Sequence, residues 1–370
     1  MIIYLLLLLI SIMLSFADLT NMCRKCKMIY GSVFVGVCII LSGVRWNTGP
    51  DWAKYYGIYA YNYSWNDFID VAESHEAELG YGLLNYVHNH TINDYNMFLF
   101  MIVIPVLIIK ARWIFKYTRY PLIAMMVFYT THFGDIFFIR QYIAVAIVLL
   151  GFDFIIKKKF WRYFLTVIIA ATIHTSAAIA IIIYWVYHAR KLSAKILSII
   201  LLIFLICDIT GFNMYVLEVF LDSFSTDYGN AVYKVHAYYL REQSGSDFGN
   251  NVPQYIHSLL AYGRRLLFVP LYIYFFSKMN KCNPYVDGTF RIVLFGHALF
   301  MLMSCVSYEF AGRLTLYFIF FEILLLSYLF YTAKKSKYPI WCFLVGYSII
   351  KYFFLIYNLS HAYLPYETVF

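Results

Sequence analysis

Residues 140–187 read RQYIAVAIVLLGFDFIIKKKFWRYFLTVIIAATIHTSAAIAIIIYWVY. Two apolar runs, 140–156 and 160–187, lie on either side of the basic triplet Lys157–Lys159. Each run is long enough to cross a bilayer, which takes ~17–25 residues in an α-helix. Because lipid offers the backbone no hydrogen-bond partners, both runs are predicted to be helical.

The rest of the chain repeats this pattern of apolar runs separated by polar segments. Of its 370 residues, 62% are hydrophobic and 13% are charged, whereas soluble domains carry about 25% charged residues. Further spanning runs are predicted at 1–17, 28–44, 95–110, 120–138, 195–209, 256–277, 290–308, 314–333 and 338–357. The sequence therefore predicts an all-α, polytopic integral membrane protein, with about 11–12 transmembrane helices in a single domain over residues 1–370. The first run has no basic start and no small-residue cleavage site, so we expect it to be retained as a helix.

The run 160–187 is long for one span, and polar residues interrupt it at Thr172–Ser176. It is either one tilted helix or two half-helices that meet at His174. The distribution of basic residues bears on this choice, because Lys and Arg concentrate in cytoplasmic loops. With Arg24–Lys27 in the cytoplasm, the clusters 110–119, 157–162, 278–281 and 334–337 are cytoplasmic too. The cluster 190–195 joins them only if 160–187 is a hairpin, which favours two half-helices. Both termini and two long loops, 45–94 and 210–255, are then predicted on the outer face.

Several arginines lie where a membrane helix should be apolar, and a charge there costs ~3 kcal/mol on insertion scales. They are Arg140, Arg264, Arg265 and Arg313, with Asp135 and Glu309 as acidic neighbours. The planar guanidinium matches the oxygens of a diphosphate. Alternatively, these arginines snorkel to the interface or pair locally, as Arg140 would with Asp135.

His174 is a candidate general base, since a histidine pKa lies near the working pH. The alternative is a structural histidine bonded to Ser176 or to a carbonyl group. The outer loop from Gly43 mixes Trp and Tyr with charged residues, which suits either sugar rings or an interfacial aromatic belt. Cys23-x-x-Cys26 has no second cysteine pair, so we predict neither a metal site nor a cofactor. Together these features suggest a lipid-diphosphate substrate with a polar, glycan-like head.

Several short motifs are distributed along the chain. The most specific is Arg140-Gln141 followed by His174-x-Ser176. The others are Gly43–Asp51 with Tyr55, Glu78–Tyr81, Lys157–Lys159, Arg313–Phe318 and Pro365-Tyr366. In order and spacing over nearly the whole chain, these motifs together resemble the EpsG/Wzy-type polysaccharide polymerases of bacterial envelopes, although 210–290 contributes no recognisable motif.

The resemblance implies a glycosyltransferase that moves a glycan from undecaprenyl diphosphate to a sugar hydroxyl of another lipid-linked repeat unit. It places the protein in the bacterial cytoplasmic (inner) membrane, with the active site facing the periplasm or exterior. The implied partners are lipid-linked repeat units, membrane lipid and a chain-length regulator, with no nucleic acid. The implied catalytic residues are Arg140, His174, Arg313 and Asp51. The implied substrate-binding residues are Arg45, Glu78, Gln141, Arg264, Arg265 and Tyr317.

Three other functions suit the same pattern. An O-antigen ligase-like transferase would use the same donor with a different acceptor. A flippase or transporter would bind substrate through buried arginines and form no bond. A membrane O-acyltransferase would need an acyl-donor site on the cytoplasmic side, whereas His174 is predicted on the outer side.

Overall fold

A computed structural model of the protein describes residues 1–61, 64–73, 77–137, 140–189, 194–216, 252–333 and 337–370. Within these ranges, the regular structure is helical apart from one pair of two-residue strands. Most of the predicted outer loop 210–255 and the basic residues 190–193 lie outside the described residues.

The described helices confirm an all-α, polytopic membrane protein. Six of them are long and apolar enough to cross a bilayer: Ile2–Leu19, Arg24–Gly43, Tyr95–Tyr117, Leu259–Cys282, Val286–Met303 and Tyr338–Asn358. Tyr308–Ile319 and Glu322–Thr332 make a seventh if they are one span, bent by 54°. Shorter apolar helices occupy Pro121–Thr131, Phe160–Ile173, Thr175–His188 and Ser198–Ile209. The remaining described helices are Trp52–Tyr61, Trp65–Glu73, Leu79–Thr91, the short 3-10 helix Phe133–Ile136, Arg140–Leu150, Phe152–Ile156 and Ser360–Tyr363.

The chain divides into two compact units, which are described separately below. Unit 1 contains residues 1–181 and 326–370, and unit 2 contains residues 182–325. The predicted organisation as one continuous membrane domain stays a prediction.

Within unit 1, the N-terminal helix, the start of the outer loop and the C-terminal tail meet at one end. The strand Arg45–Trp46 pairs antiparallel with Glu367–Thr368. The hydroxyl of Tyr4 donates to the carbonyl oxygen of Tyr363 at 3.1 Å. The basic-residue distribution assigns these three segments to the same side of the membrane, and the contacts agree with that assignment.

The opposite end of unit 1 gathers basic segments that are predicted to be cytoplasmic. Arg24 donates to the carbonyl oxygen of Phe115 at 2.6 Å, and Lys116 pairs with Asp153. One member of the predicted clusters lies elsewhere. The side chain of Lys110 is fully buried in an ion pair with Asp135, so it does not contribute to a basic surface. A charge pair buried in this way is retained because either partner alone would be costly.

Within unit 1, residues 160–181 form the turn of the predicted hairpin. The helix Phe160–Ile173 ends at His174, whose backbone is extended at φ −152° and ψ 114°. The hydroxyl of Tyr163 then donates to the carbonyl oxygen of Ala180 at 2.5 Å. In a continuous helix these residues would be about 25 Å apart. The chain therefore reverses direction at His174, and the two half-helices are confirmed.

Candidate functional site

A cluster of polar side chains surrounds Glu78 in unit 1. One carboxylate oxygen, Oε1, lies 2.9 Å from His174 Nδ1 and accepts a 3.2 Å hydrogen bond from the backbone N–H of Thr175. The other, Oε2, accepts a 3.0 Å hydrogen bond from an Arg140 guanidinium nitrogen. We call Glu78, Arg140, His174 and Thr175 the Glu78 cluster. It unites three of the sequence-predicted site residues, which come from separate parts of the chain.

Each member of the Glu78 cluster lies at the end of a helix. Glu78 precedes Leu79–Thr91, and its side chain makes no capping hydrogen bond to that helix. Arg140 begins the helix Arg140–Leu150, and His174 follows Ile173 at the break in the hairpin. Helix ends leave backbone groups without partners inside the helix, and Thr175 uses its N–H in this way toward Glu78.

Gly80 explains how these helix ends come close together. A β-carbon at Gly80 would lie 2.5 Å from the side-chain oxygen of Thr172 and 2.8 Å from the Thr172 carbonyl oxygen. Any side chain here would therefore push the helix Leu79–Thr91 away from the end of Phe160–Ile173. Glycine at this position allows the Glu78 carboxylate to reach His174.

Two tyrosines pack against the Arg140 guanidinium. The guanidinium carbon is 5.4 Å from the ring centre of Tyr55 and 5.7 Å from that of Tyr81, within the range of cation–π attraction. Both rings are buried. These two aromatic residues of the outer loop therefore support Arg140 and do not offer an open face to a sugar ring.

The protonation state of Glu78 follows from its surroundings. Burial raises the pKa of Glu78. The hydrogen bond to His174 and the charges of His174 and Arg140 lower it by more, so the pKa is about 2. Glu78 is therefore an anion at neutral pH and can only accept hydrogen bonds. His174 Nδ1 must then carry a proton in both charge states, and in the neutral imidazole Nε2 is left as an acceptor.

The Glu78 cluster remains partly open. The side chains of Glu78, Arg140 and His174 are 14%, 15% and 19% exposed, so a ligand can reach them. The partner of His174 here is Glu78, whereas the sequence had suggested Ser176 or a carbonyl group for a structural histidine. A carboxylate that orients an accessible imidazole is a common arrangement for general-base catalysis.

The other predicted residues of the outer loop lie in different settings. Arg45 is 1% exposed, and it donates to the carbonyl oxygen of Ile136 at 3.3 Å. Asp51 is exposed, with a left-handed backbone at φ 59°. Gln141 follows Arg140 in the same helical turn and is partly buried. Arg45 thus holds the base of the loop, and Asp51 lies at the surface, where it begins the helix Trp52–Tyr61.

Unit 2 contains a second polar cluster, of which the sequence had identified only Arg264. Glu322 is 2% exposed, and its carboxylate pairs with Arg264. It also accepts a 3.0 Å hydrogen bond from the hydroxyl of Tyr272 and lies 3.1 Å from His297 Nε2. We call these four residues the Glu322 cluster. The available signal was an ionisable residue within an apolar run, at Glu322 and again at His297.

The remaining predicted residues also belong to unit 2. Arg265 is 6% exposed, and its guanidinium carbon lies 3.6 Å from the ring centre of Phe300. Arg313 pairs with Glu309, one helical turn away, and its side chain is 43% exposed. Tyr317 is buried in the same helix.

A family model described as the EpsG family matches residues 28–368. The match includes every residue of the Glu78 and Glu322 clusters. No curated protein and no solved structure matches the chain.

Proposed function

Because this chain belongs to the EpsG family, we propose that it is a glycosyltransferase that polymerises a bacterial surface polysaccharide. The donor is a glycan on undecaprenyl diphosphate, and the acceptor is the non-reducing-end sugar of another lipid-linked repeat unit. The acceptor oxygen bonds to the anomeric carbon of the donor as the bond from that carbon to the diphosphate breaks. Undecaprenyl diphosphate leaves with the electron pair of the broken bond.

The observation that carries this proposal is the contact between Glu78 and His174 in a partly exposed cluster. The acceptor hydroxyl must lose a proton as its oxygen attacks, and a positioned imidazole can accept it. Glu78 holds Nδ1 as the donor and stabilises the imidazolium that forms at Nε2. His174 is thus the proposed general base, and Glu78 positions it. Glu78, which the sequence resemblance implied as a substrate-binding residue, is therefore proposed as a residue that positions His174.

Arg140 is the proposed cation for the departing diphosphate, and Arg313, which belongs to unit 2, remains a separate proposed contact of the substrate. Negative charge grows on the diphosphate as the glycosidic bond breaks, and a fixed guanidinium stabilises that charge. Arg140 is held by Glu78 and by two tyrosine rings, so its position is set before substrate binds. Arg313 is the more exposed of the two. Asp51, Arg45, Gln141 and Tyr317 remain proposed contacts of the substrate or of the loops around it.

The proposed site faces the periplasm or exterior of the cytoplasmic membrane, where lipid-linked repeat units are available after their transfer across the bilayer. The proposed partners are those lipids and a chain-length regulator. This orientation rests on the distribution of basic residues and on the position of the Glu78 cluster next to the outer loop.

Reconstitution in liposomes with one defined lipid-linked repeat unit tests the function. We expect a ladder of products with two or more repeat units, together with released undecaprenyl diphosphate. The variant His174→Ala is the matched control. Transfer of the lipid across the bilayer without any new glycosidic bond would show a transporter and reject the proposal. Product formation only after addition of a different acceptor would show a ligase.

A further inference from the structure

We propose that Trp46 and Tyr56 form a stacking surface for an uncharged sugar ring of the lipid-linked repeat unit, with Asp51 and Glu367 beside it as hydrogen-bond acceptors. We call these four residues, all in unit 1, the Trp46 platform. The inference rests on the proposed function, because that function supplies the glycan. It decides between the two interpretations of the outer-loop aromatic residues, which were sugar binding and an interfacial aromatic belt.

Three aromatic rings pack together where the outer loop begins. The ring centres of Trp46 and Tyr56 are 5.7 Å apart, and those of Trp46 and Tyr56 lie 4.9 Å and 5.1 Å from the ring centre of Trp52. Trp52 is buried, whereas Trp46 and Tyr56 are 36% and 38% exposed. Trp52 thus supports two aromatic side chains that each keep part of their surface open. The negative face of such a ring attracts the polarised C–H groups of a sugar.

The C-terminal tail places a carboxylate next to Trp46. In the antiparallel strand pair, Trp46 lies directly opposite Glu367. Side chains of such a pair share one face, with their β-carbons about 4.5–5.5 Å apart. Glu367 is exposed, and so is Asp51, which directly precedes Trp52. Ionised carboxylates accept hydrogen bonds, so both residues can bind sugar hydroxyl groups.

The surface around Trp46 is held in place by the protein. The hydroxyl of Thr48 donates to the carbonyl oxygen of Trp46 at 2.9 Å and accepts from the backbone N–H of Glu367 at 3.0 Å. The N–H of Gly49 donates to the carbonyl oxygen of Ala362 at 2.7 Å. The turn after Trp46 and the C-terminal tail therefore fix each other. A surface that is ordered in advance loses less entropy when a ligand binds.

The charges around the Trp46 platform favour a sugar over a lipid headgroup. Residues of an aromatic belt lie at the level of the headgroups, where phosphate groups would repel the carboxylates of Asp51 and Glu367. Lys54 is the basic residue of the helix Trp52–Tyr61. It lies two positions from Trp52 and from Tyr56, and so about 160° around the helix from both rings. The side of the helix that carries the aromatic rings is therefore suited to an uncharged ligand.

The helix Trp52–Tyr61 also connects the platform to the Glu78 cluster. The ring of Tyr55 packs on the Arg140 guanidinium, and Tyr56 follows Tyr55 in the chain. Successive residues point about 100° apart around a helix. The helix thus presents Tyr55 to Arg140 and Tyr56 to the open surface beside it. A glycan whose reacting end lies at His174 can extend onto the Trp46 platform.

Titration of the purified protein in nanodiscs, followed by saturation-transfer difference NMR, tests the inference without turnover. The probe is the water-soluble oligosaccharide that mild acid releases from the lipid-linked repeat units of the same cells. We expect Trp46→Ala and Tyr56→Ala to bind it about tenfold more weakly than the wild type, a loss of roughly 1.4 kcal/mol. Trp46→Phe keeps an aromatic ring and should be milder, and it replaces Trp46→Ala if that variant does not fold.

Trp65→Ala is the matched control, because Trp65 is 54% exposed in the same outer loop and is not part of the platform. We expect it to bind the oligosaccharide like the wild type. Wild-type affinity in folded Trp46→Ala and Tyr56→Ala, an equal loss in Trp65→Ala, or no binding to the wild type would each overturn the inference. Tighter binding in Glu367→Gln would reject the role of Glu367 as an acceptor.

A kinetic comparison in liposomes separates sugar binding from structure. Trp46→Ala should raise KM for the lipid-linked repeat unit and change kcat per folded molecule little, because the platform holds a sugar away from the bond that forms. A belt residue would instead lower the amount of protein in the membrane and leave KM unchanged. Polymer formation with a normal KM in Trp46→Ala and Tyr56→Ala would reject this inference and retain the proposed function. Oligosaccharide binding that depends on Trp46, without polymer formation by the wild type, would do the reverse.

Discussion

Glu78 Oε1 lies 2.9 Å from His174 Nδ1, although 96 positions separate the two residues in the sequence. The contact joins the start of a helix in the outer loop to the break of the half-helix hairpin. It fixes the imidazole with Nε2 available as an acceptor.

His174→Ala should lower the rate of polymer formation by roughly 10²–10⁴, the usual contribution of a general base. The affinity for undecaprenyl diphosphate should remain that of the wild type, since the base acts on the acceptor hydroxyl. Initial rates in liposomes and lipid-induced thermal stabilisation measure these two quantities. A wild-type rate in His174→Ala would leave the histidine with a structural role alone.

Arg140→Ala should reduce polymer formation by about 10²–10³ per folded molecule, the typical loss when one donor to a developing charge is removed. Arg140→Lys should lie between the alanine variant and the wild type, because it keeps the charge and loses the bidentate geometry. Arg313→Ala should be similarly impaired. Polymer length and membrane protein abundance need to be measured together. If Arg140→Lys forms polymer like the wild type, and Arg140→Ala lowers only the amount of protein in the membrane, Arg140 has no role beyond stability.

Glu78 should stabilise the protein in a pH-dependent way. The pKa of Glu78 is about 2 in the folded protein, whereas the ordinary value for a glutamate is 4.5. A depressed pKa contributes stability that is present above the ordinary pKa and is lost as the pH falls toward the folded-state pKa. The melting temperature of Glu78→Gln should therefore lie below that of the wild type at about pH 5. This difference should shrink below about pH 4.5, and one that grew on acidification would contradict the ionised, paired carboxylate.

Gly80→Ala should destabilise the Glu78 cluster, because the new methyl group meets both the side chain and the backbone of Thr172. Overpacking of this kind typically costs about 1–3 kcal/mol. Gly57→Ala is the matched control, since a β-carbon there has nothing within 4 Å. We expect lower thermal stability and lower activity for Gly80→Ala and little change for Gly57→Ala. Equal effects of the two substitutions would show that close packing at Gly80 is not needed.

The predicted topology determines which cysteines react with a membrane-impermeant maleimide. The measurement uses cells whose cytoplasmic membrane is intact and accessible to the reagent. Cys23 and Cys26 are exposed, at the predicted cytoplasmic end, and should react only after permeabilisation. The cysteine introduced by Tyr61→Cys, at a position 79% exposed in the outer loop, should react without it. Labelling of Cys23 and Cys26 in intact cells, with protection of the introduced cysteine, would invert the orientation.

The sequence by itself determined the membrane class, the longest apolar helices and the break in the hairpin. These features depend on local patterns: apolar runs of spanning length, basic clusters between them, and polar residues at Thr172–Ser176 within an apolar run. It also identified Arg140, Glu78 and His174 as separate candidates, through the expense of a charge in lipid and the family resemblance.

Only the tertiary structure decided which charges are partners. From the sequence, Asp135 was the predicted local partner of Arg140. In the structure Asp135 pairs with Lys110, and Arg140 pairs with Glu78. In the Glu322 cluster the sequence identified only Arg264, and it did not identify Glu322, Tyr272 or His297. Helix packing sets these pairings by bringing together side chains that are many residues apart, and no local pattern records which helix ends will meet. Hydropathy describes the environment of one residue at a time, whereas a hydrogen bond depends on the positions of two residues in space.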